Sequence, residues 1–205
     1  KDELLKIADI CDRVPAHPAR TFHEALQTYW LAWVMLYWEE SVLPGECHGR
    51  ADQYLNPYYE QDLSEGRITE EKAQELIDCL ILKINENSSS SHISVGGVKP
   101  NGRDATNALS YMFIEGMIHT RCVQPFFSIQ VHQRMADDLL IKACRHSALG
   151  TGHPQFINAD VMIDQALARN CMGGPPVTLE EARSATPVGC EELVIPGKDS
   201  GYGFW

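Results

Sequence analysis

QPFFSIQVH, residues Gln124–His132, alternates between two sets of side chains in the manner of a β-strand. Phe127, Ile129 and Val131 fall on one face, because successive side chains of a strand point to opposite sides of the sheet. The stretch therefore predicts a strand with one buried apolar face. By the same alternation, Phe126 and Phe127 divide between a pocket and the core.

Similar short segments lie on both sides of this strand, HISVGGV at His92–Val98 and PQFINA at Pro154–Ala159. A helix pattern with a cap at Asp104 or Thr106 precedes the strand, and another over Asp137–Leu149 follows it. Strands that alternate with helices favour an α/β fold with parallel strand pairing. We expect helices to outnumber strands.

The first part of the chain reads mostly as helix. Residues 1–13 are amphipathic, and Thr21 with Glu24 forms a capping box at the start of a second helix. The run Tyr29–Trp38, YWLAWVMLYW, is apolar nearly all round. A helix without a polar face is usually buried on every side, so we expect this one to lie inside a larger protein.

The stretch Ser41–Thr69 is punctuated by glycine and proline and reads as a long loop. Loops of this length often carry function. Four of its residues are interpreted mainly as packing residues, with a place in a pocket wall as the alternative: Arg50, Asp52, Gln53 and Tyr54. Further on, the Gly96–Gly97 pair is interpreted as room for a close approach of the backbone to a site.

Length and charge exclude several classes of partner. The 205 residues correspond to between one and two domains of ordinary size. The formal charge of −11, from 17 basic and 28 acidic residues, argues against a nucleic-acid or anionic-membrane surface. The longest apolar run is too short to span a membrane, and the first residues show no signal-peptide pattern.

The seven cysteines are odd in number and widely spaced, with no CxxC pair. This pattern predicts free thiols rather than a disulfide framework or a zinc site. Free thiols without a secretory signal indicate a reducing, cytoplasmic setting. Because the chain lacks an initiator Met and opens within a helix pattern, we interpret residues 1–205 as a single internal segment of a longer protein.

The eight histidines show no metal-ligand spacing such as HExxH, and the glycine pairs match neither GxGxxG nor the P-loop. The sequence therefore predicts neither a bound metal nor a bound nucleotide. Each histidine, taken singly, is interpreted as structural. This includes His92 and His153, although both flank strands within reach of a pocket.

The segment VGCEELVIPG, Val188–Gly197, differs from the rest because a thiol and two acids follow a glycine. If Val188–Ile195 is extended, Cys190 and Glu192 project from one face and Glu191 from the other. A thiol and a carboxylate on one face suit hydrogen-atom abstraction and proton transfer. Two other interpretations stay open: a buried, inert cysteine beside solvated acids, and a conventional Cys–His nucleophile.

Several separated motifs resemble, in this order, the glycyl radical enzymes of the pyruvate formate-lyase-like superfamily. They are VPAHPARTFHEALQTYW, GRADQYLNPYYEQDL, SVGGVKPNGRDATNALSYMFIEG, QPFFSIQVH, GTGHPQFINADV and VGCEELVIPG. The resemblance covers essentially all of residues 1–205, and the number and order of the motifs make it specific.

The resemblance implies a ten-stranded α/β barrel, built from two five-stranded half-barrels, of which this chain forms a helix-rich part. A finger loop of that family carries a cysteine into the barrel, and Cys190 matches this cysteine. Its thiyl radical would take a hydrogen atom from the substrate, with Glu192 as acid/base. The glycyl radical domain would lie beyond Trp205, and an activating enzyme with S-adenosylmethionine and an iron–sulfur cluster would install the radical.

The residues around Cys190 bear on the reaction that the resemblance implies. Pyruvate formate-lyase proper has two adjacent cysteines, whereas Glu191 follows Cys190 here. Eliminating and decarboxylating members share Cys-x-Glu, which Cys190 and Glu192 match. Diol-dehydratase and choline-lyase members usually read Cys-Val-Glu-Pro. This chain departs from them at Glu191 and Leu193, and its continuation looks closer to arylacetate decarboxylases and less-characterised lyases.

We therefore expect an anaerobic radical lyase that either decarboxylates an arylacetate-type substrate or cleaves a C–O, C–N or C–S bond. The alternatives are a diol- or hydroxyproline-type dehydratase, a formate C-acetyltransferase-like enzyme and a non-catalytic relative. The resemblance implies a small-molecule substrate, a radical S-adenosylmethionine activating enzyme and a second copy of the chain as partners. It implies no cofactor bound within this segment.

Overall fold

The computed structural model describes residues 1–39, 47–87, 91–173, 175–189 and 192–199. The helices are α1 Asp2–Arg13, α2 Phe22–Glu39, α3 Ala51–Tyr54, α4 Asn56–Ser64, α5 Glu70–Asn87, α6 Ala108–Thr120, α7 Asp137–Ser147, α8 Ala159–Ala168 and α9 Leu179–Arg183, with a 3₁₀ turn at Arg169–Met172. The strands are β1 Cys47–Arg50, β2 His92–Gly96, β3 Phe126–Val131, β4 Gln155–Asn158, β5 Thr186–Val188 and β6 Glu192–Val194. No helix in these ranges is long and apolar enough to cross a membrane.

Strands β1 to β4 form a parallel sheet in chain order, which confirms the α/β class and the predicted parallel pairing. Ser94 pairs with Ser128 and Gly96 with Gln130, so β2 and β3 present matching residues on each face. Strands β5 and β6 form a separate antiparallel pair. We call this pair, with the turn between its strands, the cysteine hairpin (residues 186–194).

One face of the parallel sheet is apolar and carries the main core. Phe127 and Ile129 are fully buried there and Val131 packs at its edge, as the alternation of side chains predicts. Ile93 and Val95 extend the same face on β2. Helices α5 and α6 contribute further buried residues to this core: Ile77, Ile81, Ile84, Leu109, Phe113, Ile114 and Met117.

A smaller core holds the base of the cysteine hairpin. Ile195 packs in it with Met162 and Ala166 of α8 and Ala182 of α9. Beside this core, Arg169 donates two hydrogen bonds of 2.7 Å to the Asp199 carboxylate, which also accepts the N–H of Ile195. These contacts hold the chain in place just after β6, the second strand of the hairpin.

Within residues 1–205, Tyr29–Trp38 is not buried on every side, and its predicted burial inside a larger protein stays a prediction. Met35 and Leu36 are 54% exposed and Trp38 is 75% exposed, whereas Trp33 is buried. The physical reason is that α1, α4 and α5 pack against α2 mainly along its first turns. The apolar second half of the helix lies beside a cavity instead.

Two local predictions also need correction. The stretch read as a loop, Ser41–Thr69, contains β1, α3 and α4 in its described part, because glycines and prolines there mark the ends of short elements. Helix α6 is capped by Asn107, whose side chain accepts the N–H groups of Leu109 and Ser110. Asp104 instead accepts from Thr106 in a local turn.

Candidate active site

The chain reverses direction within the segment predicted to be extended. Val188 pairs with Glu192 across the cysteine hairpin, and Gly189 adopts a φ of +52°, a left-handed conformation that favours glycine. Val188–Ile195 is therefore not one continuous strand, so the argument that Cys190 and Glu192 share a face by period two does not hold. Cys190 and Glu191 lie outside the described residues, and the predicted place of Cys190 at a loop tip in a cavity stays a prediction.

Glu192 is described, and its carboxylate turns back over the start of the turn. A Cβ placed on Gly189 would lie 3.2 Å from Oε2 of Glu192, so the missing side chain of Gly189 leaves room for the acid. The negative charge of Glu192 also reaches His92 on β2, whose pKa it raises in part. The structure therefore places the carboxylate of the predicted acid beside Gly189 at the start of the turn, on an exposed residue.

The sheet face under the cysteine hairpin is polar and almost fully buried. We call it the polar face: His92, Ser94, Ser128 and Gln130. His92 Nε2 lies 2.9 Å from Ser128 Oγ, Ser128 Oγ donates to Ser94 Oγ at 3.1 Å, and Gln130 Nε2 donates to Ser94 Oγ at 3.2 Å. Burial is the main cause that lowers the pKa of His92 to about 4, so its ring is neutral near pH 7.

A cavity of about 740 Å³ opens between α2, β1, α3 and the cysteine hairpin. Tyr29 and Trp33 of α2 form one wall, and Thr186, Val188 and Val194 of the hairpin form another. The cavity has the size of a small-molecule site, and its walls combine aromatic surface with a few polar groups.

His48 lines this cavity, and sequence reasoning missed it. The residue is 7% exposed, and its ring centroid lies 4.9 Å from that of Tyr29 and 5.7 Å from that of Trp33. Its Nε2 atom has no hydrogen-bond partner among the described residues. Burial lowers the pKa of His48 to about 3, so the ring is a neutral hydrogen-bonding group. A lone histidine in CHGR carries no spacing signal that would have found it.

Cys47 is a second thiol on the cavity wall that the sequence did not single out. Its Sγ donates to the carbonyl of Pro187 at 3.1 Å and accepts the N–H of Gly49 at 3.2 Å. Burial raises the pKa of Cys47 to about 11, so the thiol is protonated at neutral pH. A protonated thiol is a poor nucleophile but an intact hydrogen-bond donor.

Of the four residues interpreted as packing or pocket wall, three are both, and Asp52 is a packing residue only. The Arg50 guanidinium donates to the carbonyls of Gly96 at 2.7 Å and Val98 at 2.9 Å. Asp52 accepts from Gly96 N and Ser110 Oγ, and burial raises the pKa of its carboxyl group. These bonds fix the C-terminal end of β2. Arg50, Gln53 and Tyr54 also line the cavity, whereas Asp52 does not contribute to its wall.

The two histidines that flank strands and the Gly96–Gly97 pair have different roles in the structure. His153 bonds the backbone of Phe127 and Val123 and is structural, as predicted, whereas His92 belongs to the polar face. A Cβ on Gly97 would lie 2.5 Å from Oε1 of Gln130. Gly97 therefore makes room for a side chain of the polar face rather than for a phosphate.

Comparisons with known proteins agree with this architecture and confirm the resemblance. The family described as pyruvate formate lyase-like matches residues 1–203. Trans-4-hydroxy-L-proline dehydratase of Clostridioides difficile is 32% identical over 98% of this chain and 27% of its own length. Isethionate sulfite-lyase of Nitratidesulfovibrio vulgaris is 33% identical over 98% and 25%. Indoleacetate decarboxylase of Tractidigestivibacter scatoligenes is 32% identical over 96% and 24%.

Solved structures match the fold over nearly the whole chain. A structure on 1,2-propanediol dehydration in Roseburia inulinivorans is 39% identical with a TM-score of 0.85 and covers 96% of this chain and 26% of its own. A glycyl radical enzyme from Archaeoglobus fulgidus is 30% identical with a TM-score of 0.86 and the same coverage. The chain thus spans about a quarter of the length of the relatives it matches.

Proposed function

Because this chain belongs to the pyruvate formate-lyase-like family of glycyl radical enzymes, we propose that the full-length protein is a radical lyase that acts on a small hydroxylated substrate. One observation carries the proposal. The hairpin that contains Cys190 lies over a buried polar face, beside a cavity lined by His48, whose buried Nε2 atom has no hydrogen-bond partner among the described residues.

The proposed reaction uses two residues of the hairpin. Cys190, oxidised to a thiyl radical through the glycyl radical of the full-length protein, takes a hydrogen atom from a C–H bond of the substrate and becomes a thiol. Glu192 protonates the neighbouring hydroxyl group, which leaves as water, and regains a proton from the O–H or N–H group on the radical carbon. The product radical then takes the hydrogen atom back from Cys190. The net change is elimination of water, without an external oxidant or reductant.

Neutral hydrogen-bonding groups on the cavity wall support a hydroxylated substrate. The His48 ring is neutral, and the cavity wall also contains the hydroxyl groups of Tyr54 and Thr186 and the amide of Gln53. A site built to hydrogen-bond a hydroxyl group discriminates strongly against analogues that lack it, because its buried polar atoms are then unpaired. The relatives named for a hydroxyproline dehydratase and for propanediol dehydration support the same class.

Arylacetate decarboxylation is the second candidate, and a specific observation favours it. Tyr29 and Trp33 give the cavity an aromatic wall against which an aryl ring would stack. The indoleacetate decarboxylase among the relatives is as similar to this chain as the hydroxyproline dehydratase is. The residues after Glu192, Leu193 to Gly197, point the same way by resemblance.

Two partners follow from the family and form part of the proposal. An activating enzyme with S-adenosylmethionine and an iron–sulfur cluster would install the glycyl radical, and the full-length protein would be a homodimer. The protein would act in the cytoplasm. It would act only without oxygen, because oxygen destroys such radicals.

The test is turnover by the full-length protein after anaerobic activation, with 1,2-diols, trans-4-hydroxyproline and arylacetates as substrates. We expect a glycyl radical by electron paramagnetic resonance and a dehydrated product from a hydroxylated substrate. Cys190→Ala should keep the radical signal and form no product. Carbon dioxide release from an arylacetate would select the second candidate. Full activity of Cys190→Ala, or activity in air without activation, would refute radical catalysis, and absence of the radical would indicate a non-catalytic relative.

A further inference from the structure

The cysteine hairpin is held to the parallel sheet by side chains. Strand β5 pairs with β6 and, among the described residues, not with the backbone of β1 to β4. Instead, the sheet donates hydrogen bonds to alternate carbonyl groups on the run that leads into the hairpin. These bonds are Arg50 Nη1 to Arg183 O at 3.1 Å, Gln130 Nε2 to Ala185 O at 3.3 Å and Cys47 Sγ to Pro187 O at 3.1 Å. We call these bonds the carbonyl ladder.

The alternate spacing of the accepting carbonyl groups makes the carbonyl ladder specific for one register. Ala185 leads directly into β5, and every second carbonyl of an extended run points to the same side, so carbonyls 185 and 187 can face the sheet together. Arg183 O is the last carbonyl of α9, so its bond to Arg50 anchors the end of that helix to the sheet. A slip of this strand by one residue would turn both carbonyls away from the sheet and present the opposite set. Donors at fixed places on β1 and β3 therefore specify one register of the hairpin over the sheet.

Gln130 is held in the shape that this role requires. Its side chain passes over Gly97, where a Cβ would stand 2.5 Å from Oε1 and 3.1 Å from Cβ of Gln130. Its amide nitrogen bonds both Ser94 on β2 and Ala185 before the hairpin. The amide thus connects the polar face to the hairpin.

Cys47 forms the ladder bond nearest to Cys190 along the chain. Pro187, its acceptor, has no N–H of its own, and it precedes Cys190 by only two intervening residues. The Cys47 thiol also accepts from Gly49 at the irregular step where β1 departs from regular pairing with β2. The donor is thereby oriented from both sides.

We propose that the carbonyl ladder sets the register of the cysteine hairpin, and that Gln130 and Cys47 are positioning residues for hydrogen abstraction at Cys190. The inference rests on the proposed radical function. Hydrogen-atom transfer depends steeply on the distance between sulfur and carbon, and a misplacement of about 1 Å can cost on the order of 10²-fold in rate. A ladder that fixes the strand before Cys190 acts on that distance.

The experiment uses the activated full-length enzyme and the variants Cys47→Ala, Cys47→Ser and Gln130→Met. Cys122→Ala is the matched control, because Cys122 is also buried and directs its thiol at a backbone carbonyl, away from the hairpin. We expect Cys47→Ala and Gln130→Met to lower kcat by about tenfold or more, with KM within about twofold and an unchanged glycyl radical signal. Cys47→Ser, which restores a donor, should stay within about threefold of wild type, and so should the control.

A second measurement keeps the inference separate from the reaction itself. In crystal structures of full-length wild type and of the Cys47→Ala/Gln130→Met double variant, we expect residues 186–188 to shift relative to Ser94. An unshifted hairpin, or unchanged kcat in both single variants, would overturn the carbonyl ladder whatever the substrate proves to be. Equal damage in Cys47→Ser and Cys47→Ala would also overturn it, because the thiol would then act chemically. Failure of wild type to turn over any substrate would refute the proposed function but leave the crystallographic comparison decisive.

Discussion

The two faces of strands β2 and β3 are built from alternate residues of the same short segments, yet they follow different rules. One face carries Ile93, Val95, Phe127 and Ile129 and packs into the main core. The other is the polar face under the cysteine hairpin. Both are buried to the same degree, so burial alone does not distinguish structure from site.

The difference lies in what each face needs from its partner. An apolar face needs area and close packing, which any well-fitting helix supplies. A buried polar face needs a partner for each donor and acceptor, since an unpaired polar atom costs about 1–3 kcal/mol while a made bond contributes only about 1 kcal/mol net. A polar face is thus a poor way to stabilise a sheet, and its presence indicates a site.

After the complete loss of product expected for Cys190→Ala, the largest effect on the hairpin side is loss of proton transfer at Glu192. Glu192→Gln keeps the size and hydrogen bonding of the side chain but removes the acid, so kcat should fall by roughly 10² to 10⁴. Turnover and glycyl radical content should be measured together. Glu180→Gln, at an exposed acid on α9, is the control. Equal activity of Glu192→Gln and wild type would remove Glu192 from the mechanism.

The next effect separates the two faces directly. Phe127→Ala on the apolar face should lower the free energy of unfolding by about 3–5 kcal/mol, because it leaves a cavity among fully buried neighbours. Its turnover per glycyl radical should change little. Ser128→Ala, at the adjacent residue on the polar face, should lower the free energy of unfolding less than Phe127→Ala does. It should lower turnover more, because His92 loses its hydrogen-bond partner. Thermal unfolding and kcat of both variants test this exchange.

A contrary result would be equally clear. If Phe127→Ala lost turnover per glycyl radical while Ser128→Ala did not, the apolar face, and not the polar face, would be the one that supports the reaction.

The sequence predicted the apolar face well because its signal is local. A period of two over Phe127, Ile129 and Val131 is sufficient to place a strand and its buried side. A helix cap is also a local feature: at the start of α9, the Thr178 side chain accepts the N–H of Glu181. Thr21 likewise caps α2 through the N–H of Glu24.

The polar face and the cavity could not be predicted in this way, because they join distant segments. His48, Gln130 and Thr186 meet only through tertiary structure, and none has a spacing that marks a site. The reversal at Gly189 was missed because glycine permits both an extended strand and a left-handed turn. Helix α2 misled for the opposite reason, since an apolar composition does not say which neighbour covers it.

A smaller effect is expected where the polar face meets backbone. Gly97→Ala should displace the Gln130 side chain and cost about 1–3 kcal/mol as overpacking. Gly150→Ala is a matched control, since its φ of +74° resembles the +78° of Gly97 but an added Cβ would have nothing within 4 Å. Thermal unfolding should show a larger loss for Gly97→Ala, with a fall in kcat that Gly150→Ala lacks. Equal losses would assign the whole effect to backbone strain.

The smallest effect concerns pH and places one histidine on each face. His92 lies on the polar face and His146 packs against Phe127 on the other side, and burial is the main cause that lowers the pKa of each to about 4. The unfolded chain, with histidine pKa values near 6.5, binds protons first as pH falls. Stability contributed by each neutral ring is therefore complete above about pH 6.5 and is lost progressively toward pH 4.

Between pH 7 and pH 5.5 this linkage amounts to about 1 kcal/mol per histidine. His146→Phe and His92→Phe remove the titrating group. Each variant should therefore lose about 1 kcal/mol less stability than wild type between pH 7 and pH 5.5, which gives a smaller drop in the unfolding midpoint. The faces then separate by activity: His92→Phe should lower kcat at pH 7 because it removes the ring bonded to Ser128, whereas His146→Phe should not. Differential scanning fluorimetry and turnover at both pH values measure the two effects. An undiminished pH dependence in both variants would show that these rings are protonated already in the folded protein at pH 5.5, and equal kcat values would show that the polar face does not contribute to the reaction.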